Sequence, residues 1–197
     1  MSNASTIRRQ ISGTQQLTLA PIVNPGTVQT QFQLNNNALT LTGGGVIPLV
    51  AGVTGLYAGT GQVLVVRAAG SYSGVTAATT TLALELFEVP ASVIAAGLTP
   101  TSTTGYNPVA APSASSALDN AVGAFQLEAH IQLDAAGNLN GWYQGSIDTQ
   151  AITRAAIDDV TGLVGEADLN FVLAVTLGGA EPSTSVITLD EFAIDFE

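Results

Sequence analysis

The chain has 197 residues, enough for one ordinary domain with a buried core. Only 10% of its residues are charged, against about 25% in typical soluble proteins, and it contains four arginines, no lysine and no cysteine. The lack of cysteine excludes a disulfide scaffold and thiolate metal sites, and four basic residues are too few for a nucleic-acid-binding surface.

Charge is distributed unevenly along the chain. All 15 acidic residues lie at or after Glu85, whereas residues 1–84 contain three arginines and no acid. The formal charges are therefore +3 for residues 1–84 and −14 for residues 85–197. We expect this asymmetry to give two chemically different contact surfaces. So few charges also favour assembly, because interface cores are depleted in charged side chains.

Residues 1–14 are polar and show no hydrophobic period, so we predict an extended arm in which Arg8 and Arg9 contact a partner. No apolar segment follows these arginines, and we expect no secretory signal. The longest apolar stretch, 46–58, is broken by proline and glycine and is too short to span a membrane. Residues 15–197 are predicted to form a single domain.

From Gln15 onwards, apolar residues recur with a period of two, which is typical of β-strands. Strands are predicted near residues 17–23, 28–34, 62–69, 80–89 and 171–177. The strand at 62–69 is apolar in both phases apart from Arg67, which indicates burial on both sides. Four prolines in residues 90–123 predict a long loop, with one helical turn near 92–96.

The clearest predicted element is a β-hairpin. The turn fits Asp134 to Gly137, with aspartate first and glycine last, and the second strand covers 138–147. One face of the first strand is predicted to point inward and consists of Phe125, Leu127, Ala129, Ile131 and Leu133. The other face consists of Gln126, Glu128, His130 and Gln132.

After the hairpin, Ile152, Ala156, Val160 and Leu163 have the spacing of a short amphipathic helix, with an irregular crossover as the alternative. The last strand changes phase near Asp190-Glu191, which predicts a β-bulge. Eight or nine strands with little helix predict an all-β, two-layer antiparallel β-sandwich. The jelly roll is our first choice among such folds.

No catalytic motif is complete in this sequence. The glycines at 43–45 lack the lysine of a phosphate-binding loop, and His130 is interpreted as a solvated strand residue rather than a catalytic base. We therefore predict no catalytic residue, no bound metal and no cofactor, and a protein that is not an enzyme.

Two chemical alternatives stay open. Asp134, Asn138 and Asn140 place oxygen atoms near one turn and can supply ligands to calcium. Glu85 or Glu128 can form a glycosidase pair with another acid across the sheet, because glycoside hydrolysis needs only two carboxylates.

Trp142 and Tyr143 offer a third alternative, a platform on which a sugar ring stacks. Adjacent strand residues point to opposite faces of a sheet, so only one of the two can serve. This alternative corresponds to a carbohydrate-binding β-sandwich, such as a module of a phage fibre or spike.

The segments FQLEAHI (125–131), LNG (139–141) and ITLDEFAID (187–195) resemble strands of phage jelly-roll proteins. With the lysine-poor, Thr/Ala/Gly-rich composition and the arm, the chain resembles the auxiliary virion proteins of tailed phages that decorate or cement the capsid. The resemblance implies a non-enzymatic structural protein of the virion, assembled in the host cytoplasm. It also implies a homo-oligomer, most simply a trimer, that binds the major capsid protein or other virion subunits and neither nucleic acid nor membrane. The acid-free N-terminal half would face the shell.

Overall fold

The computed structural model describes residues 22–23, 30–31, 49–50, 61, 63–96, 104–115, 117–160, 168–169, 171–179 and 185–196. They form an all-β, two-layer antiparallel β-sandwich of jelly-roll type, as predicted. The predicted arm, with Arg8 and Arg9, lies outside the described residues, as do most residues of the strands predicted before residue 61.

The larger layer is a six-stranded sheet. Its members are β1 (Ile22–Val23), β4 (Leu64–Ser73), β7 (Val122–Leu133), β8 (Leu139–Ile147), β9 (Gln150–Val160) and β12 (Val186–Phe196). Their spatial order is β1, β12, β4, β7, β8, β9, and every neighbouring pair is antiparallel. β4 and β7 are therefore central, and β9 forms an edge.

The smaller layer is a four-stranded sheet. It contains β2 (Thr30–Gln31), β5 (Thr81–Glu88), β6 (Asn107–Ala114) and β11 (Phe171–Gly178) in the order β2, β11, β5, β6. β3 (Leu49–Val50) and β10 (Asp168–Leu169) form a separate antiparallel pair. The helix α1 (Ala91–Ala96) is short, and within the described part of the chain no helix has the length and apolar character to cross a membrane.

The main core lies between the two sheets and is built from alternate strand residues. On β7 the inward residues are at most 3% exposed: Phe125, Leu127, Ala129 and Ile131. The smaller sheet contributes Leu82, Leu84 and Leu86 from β5 and Phe171, Leu173, Val175 and Leu177 from β11. The period-two pattern therefore fixes which face of each strand is buried.

The structure confirms the predicted hairpin and the predicted bulge. β7 and β8 pair from Phe125↔Ile147 to Leu133↔Leu139, and the backbone N–H of Gly137 donates to the carbonyl oxygen of Asp134 at 3.1 Å. In β12 the register shifts between Leu189 and Glu191. Both features were readable because local turn chemistry and a phase change leave direct marks in the sequence.

The helix predicted from Ile152, Ala156 and Val160 is wrong, because these residues belong to β9. Register shifts against β8 interrupt the period of two. Ile152, Ala155, Ile157 and Val160 consequently pack against the core, whereas Ala156, which the helical spacing required, is exposed. Leu163 lies outside the described residues.

The long loop predicted for residues 90–123 is wrong in part: α1 confirms the helical turn predicted near 92–96, but residues 107–114 form β6. β6 includes Pro108 and Pro112, which argued against a strand. They are tolerated because β6 is an edge strand, where a missing N–H need not break a ladder.

The uneven charge along the chain does not divide the described fold into two surfaces. β4 comes from the acid-free half but lies between β7 and β12, which come from the acidic half. β5 crosses the boundary between the two halves, since it begins at Thr81 and contains Glu85 and Glu88. Antiparallel pairing of distant segments therefore mixes the two halves wherever the structure describes them, against our expectation of separate contact surfaces.

Candidate functional site

The outer face of the six-stranded sheet, which points away from the core, carries connected polar and aromatic side chains. Alternation along β7 places Gln126, Glu128 and His130 on this face. Glu128 lies opposite Arg67 of β4, and His130 lies opposite Trp142 of β8. Opposite residues have Cβ atoms about 4.5–5.5 Å apart, so these side chains are within reach of each other.

Glu128 joins two of these neighbours. Its Oε2 accepts a hydrogen bond from Nε of Arg67 at 2.9 Å, and its Oε1 lies 3.0 Å from Nε2 of His130. Desolvation raises the pKa of Glu128, but the hydrogen bonds and charges of His130 and Arg67 outweigh it and hold the pKa below its ordinary value. Glu128 is therefore a carboxylate at neutral pH.

His130 and Arg154 hold the indole of Trp142 between them. The His130 and Trp142 ring centroids are 4.0 Å apart with an angle of 14° between the planes. From β9, on the other side of β8, the guanidinium carbon of Arg154 lies 4.1 Å from the Trp142 ring centroid. The side chain of His130 is only 18% exposed, so it is not the solvated residue we predicted. Neighbouring strands supply the rings and charges that remove it from solvent.

A groove of about 380 Å³ crosses the same face. Its lining comes from β12, β4, β7, β8 and β9, five consecutive strands that span about 19 Å at a spacing of about 4.8 Å. The polar lining residues are Arg67, Gln126, Glu128, Gln144 and Glu191. The rest of the lining is apolar and consists of Ala68, Ala69, Leu127, Gly145, Ala151 and Ile152. The groove is thus long, shallow and rich in hydrogen-bonding groups.

The two candidate sugar platforms have different positions. Tyr143 is 7% exposed and belongs to the core, so it does not offer a platform. Trp142 lies on the outer face, but His130 and Arg154 contact its ring. Trp142 is therefore the member of the pair that a ligand can approach.

In the turn considered as a calcium site, the carboxylate of Asp134 is hydrogen-bonded to other groups of the same hairpin. The carboxylate of Asp134 accepts hydrogen bonds from the backbone N–H groups of Ala136 and Asn138, at 2.8 and 2.9 Å. The side-chain amides of Asn138 and Asn140 donate to it at 3.3 and 3.2 Å, so nitrogen atoms face the carboxylate. These bonds, the Asn138 backbone first, hold the pKa of Asp134 below its ordinary value. The described residues contain no cluster of three or more His, Asp or Glu side chains suited to a metal.

The glycosidase pair we considered is only partly compatible with the structure. Glu85 lies on β5 of the other sheet, opposite Ala174, and its pleat phase directs it away from the core. It is therefore on the opposite side of the sandwich from Glu128. Glu191, in contrast, lines the groove together with Glu128.

A second polar cluster, formed by Tyr72, Asp148 and the backbone of Ala124, lies at one end of the six-stranded sheet. The hydroxyl of Tyr72 donates to Oδ2 of Asp148, whose Oδ1 accepts the backbone N–H of Ala124 at 3.2 Å. Burial and the hydrogen bond to Asp148 raise the pKa of Tyr72 above its ordinary value. Asp148 belongs to the β8–β9 turn and has a φ of 51°, so this cluster holds a tight turn against β7 and β4.

Three residues of this face, Arg67, Arg154 and Glu191, were not predicted as site residues. Arg67 left a signal, as the one charge in the apolar stretch 62–69. Arg154 left a weaker one, as the only arginine after residue 84. Their contacts depend on which distant strands are neighbours, and the sequence does not record this.

No known protein-family model matches the chain, and no curated protein matches it in sequence. Its fold is similar to that of several solved structures. The winged bean acidic lectin complexed with methyl-alpha-D-galactose is 9% identical, with 96% of this chain and 98% of the lectin covered and a TM-score of 0.35. An endo-1,3-beta-glucanase from Streptomyces sioyaensis is 10% identical, with 77% and 74% covered and a TM-score of 0.36. An endo-beta-1,4-glucuronan lyase from the fungus Trichoderma reesei is 7% identical, with 96% and 87% covered and a TM-score of 0.34.

Likeness at this level concerns the fold alone. The prediction that the protein is not an enzyme is nevertheless corrected, because a glucanase and polysaccharide lyases are among the structures with a similar fold and the fold therefore does not exclude an enzyme. The prediction failed because it relied on missing motifs. An active site on a sheet face needs only a few side chains from different strands, and these need not form a contiguous motif. The capsid-decoration role and the trimer stay predictions.

Proposed function

We propose that the groove on the outer face of the six-stranded sheet binds a linear, uncharged oligosaccharide. The observation that carries this proposal is the combination of the groove's length and lining. It crosses five strands, about 19 Å, and polar side chains line it from β12 to β8. A ligand matched to this shape is extended and carries hydrogen-bonding groups along its length.

The lining suits sugar hydroxyls, which both donate and accept hydrogen bonds. Glu128 offers an acceptor and Arg67 offers donors, and the two groups are 2.9 Å apart. Gln126 and Gln144 offer both kinds of group in each amide. Adjacent donors and acceptors match the neighbouring hydroxyls of a pyranose ring better than they match an apolar ligand.

Charge favours an uncharged sugar chain over an acidic one. The guanidinium of Arg67 already neutralises Glu128, and Glu191 adds a second carboxylate to the lining. The whole chain has a formal net charge of −11. A polyanionic sugar would therefore meet repulsion both on approach and in the groove.

The test is calorimetric titration with cellohexaose, laminarihexaose and mannohexaose, and with an oligogalacturonate of the same length as the acidic comparator. We expect at least one neutral hexaose to bind and the acidic one to bind more weakly. Gln126→Ala should weaken binding about two- to tenfold, the range of one lost hydrogen bond. Gln132→Ala is the matched control, since Gln132 is exposed on the same face of the same strand and does not line the groove. Equal effects of the two variants would place binding elsewhere.

A second candidate function is cleavage of the bound chain, which is favoured by the presence of two carboxylates, Glu128 and Glu191, in one groove. Glu128 is held ionised, which suits a nucleophile or a base rather than an acid. Mass spectrometry of the same hexaoses after incubation tests this candidate. Cleavage would be established if wild type forms shorter products and neither Glu128→Gln nor Glu191→Gln does. If the hexaoses stay intact with wild type, the protein binds them without cleaving them.

A further inference from the structure

Trp142 lies beside the groove with its ring covered, and the two covering groups differ in how firmly they are held. We infer that Trp142 is a sugar-stacking subsite closed by Arg154, which opens when a pyranose ring displaces the guanidinium. This inference rests on the proposed function and adds to it a second binding element and a gate.

The side of the indole that faces β7 is anchored. His130 stacks on the indole and also contacts Glu128, which accepts a hydrogen bond from Arg67. The His130 side chain is largely buried. Moving the imidazole would therefore disturb a chain of contacts that reaches the central strand β4.

The side that faces β9 is loosely covered. Arg154 is exposed and lies on the edge strand β9. Its guanidinium lies over Trp142, and among the described residues it forms no ion pair. An exposed cation–π contact changes an equilibrium constant by only about two- to fivefold, and ordering an arginine opposes it. Arg154 is therefore the cover that a ligand can replace.

The subsite is continuous with the groove. Trp142 lies two residues from Gln144 on the same face of β8, about 7 Å along the strand. Its cross-strand neighbour His130 contacts Glu128, which lines the groove. One side of a pyranose ring presents mainly C–H groups, and an indole provides a flat apolar surface for that side. An oligosaccharide longer than the groove would thus reach Trp142 with its next ring.

The protein contains one tryptophan, so its tryptophan fluorescence reports on this subsite alone. Acrylamide, a neutral quencher, is the first probe. We expect Arg154→Ala to raise the quenching constant about twofold over wild type, because it uncovers one side of the indole. Thr153→Ala, an exposed neighbour on the same strand, should leave it unchanged. Equal quenching in wild type and Arg154→Ala would overturn the inference.

The second probe is the set of neutral hexaoses, titrated by calorimetry into wild type, Arg154→Ala, and Arg154→Ala combined with Trp142→Ala. We expect the single variant to bind two- to fivefold more tightly than wild type, and the double variant to lose this gain. Binding that Gln126→Ala weakens but Arg154→Ala leaves unchanged would overturn the gate while the groove proposal stands. If none of these proteins binds any of the hexaoses, the proposed function and this inference are both wrong.

Discussion

The two sheets differ in their outer faces. On the four-stranded sheet, the outward residues Val172 and Ala174 are fully buried, and Phe87 is nearly so. On the six-stranded sheet, the outward residue Gln126 is exposed, and Trp142 is half-buried. One outer face is therefore a second apolar layer, and the other is a polar surface with a groove.

The difference arises from what covers each face. Phe87, Val172 and Ala174 belong to a small apolar cluster that includes Tyr106 and is flanked by Val93 of α1. Phe87 and Tyr106 meet edge to face, with ring centroids 5.8 Å apart. The protein's own chain thus occupies this face. The six-stranded sheet, in contrast, leaves a polar groove on its outer face open to a ligand.

The largest expected effect comes from placing the same charge on both outer faces. Ala174→Asp should destabilise the fold by several kcal/mol, because Ala174 is 0% exposed and a carboxylate there would be desolvated. Gln126→Asp, on an exposed outward position, should change the stability by about 0.5 kcal/mol or less. Urea unfolding of the two variants, followed by circular dichroism, makes the comparison. A small effect of Ala174→Asp would show that the face of the four-stranded sheet is open, and the contrast between the faces would be lost.

Part of this contrast was readable from the sequence. The segment FVLAVTLG of β11 is apolar in both phases, which is typical of a strand buried on both faces, whereas the segment FQLEAHIQL of β7 alternates. The rule that a strand apolar in both phases is buried on both faces predicted too much burial for residues 62–69. Val65 is fully buried, but Arg67 and Ala69 lie on the open face. Alternation identifies the face of each strand, and only neighbouring strands decide whether that face is covered.

The candidate site was less predictable than the fold. Arg67 and Glu128 are 61 residues apart, and their contact exists because β4 and β7 are neighbours in register. His130 and Trp142 meet across the one hairpin that was predicted, although their pairing was not. The position of Arg154 beside Trp142 was not predicted, because residues of β9 were expected to form a helix. Local turn chemistry therefore predicted the hairpin that carries Glu128, His130 and Trp142, and the contacts of these residues with other strands were not predicted.

A medium effect is expected from the groove lining at Gly145. A Cβ at this position would collide with the backbone carbonyl oxygen of Gln126 on β7. Gly145→Ala should therefore push β8 away from β7 and cost about 1–3 kcal/mol of stability. Ser146→Ala, the next residue on β8, is the control and should be nearly neutral. Thermal unfolding measures both, and an unchanged melting temperature for Gly145→Ala would show that β8 can move away from β7 at this point without loss of stability.

The smallest expected effect concerns the charge of Glu128 on the open face, and it depends on pH. The pKa of Glu128 is lower in the folded protein than its ordinary value of 4.5, so its carboxylate stabilises the fold above that value. This stabilisation is lost as the pH falls from about 4.5 through the lower folded-state pKa.

Glu128→Gln is the matched variant, because glutamine has the shape of the protonated acid. At pH 7 we expect wild type to be more stable than the variant by at most about 1 kcal/mol, since the Glu128 side chain is 32% exposed and solvent screens its ion pairs. Denaturant unfolding at pH 7, 5, 4 and 3 should show the two proteins converging at the acidic end. A gap that widens on acidification would mean that burial, and not Arg67 and His130, controls this carboxyl group, and the polar face would then resemble the covered one.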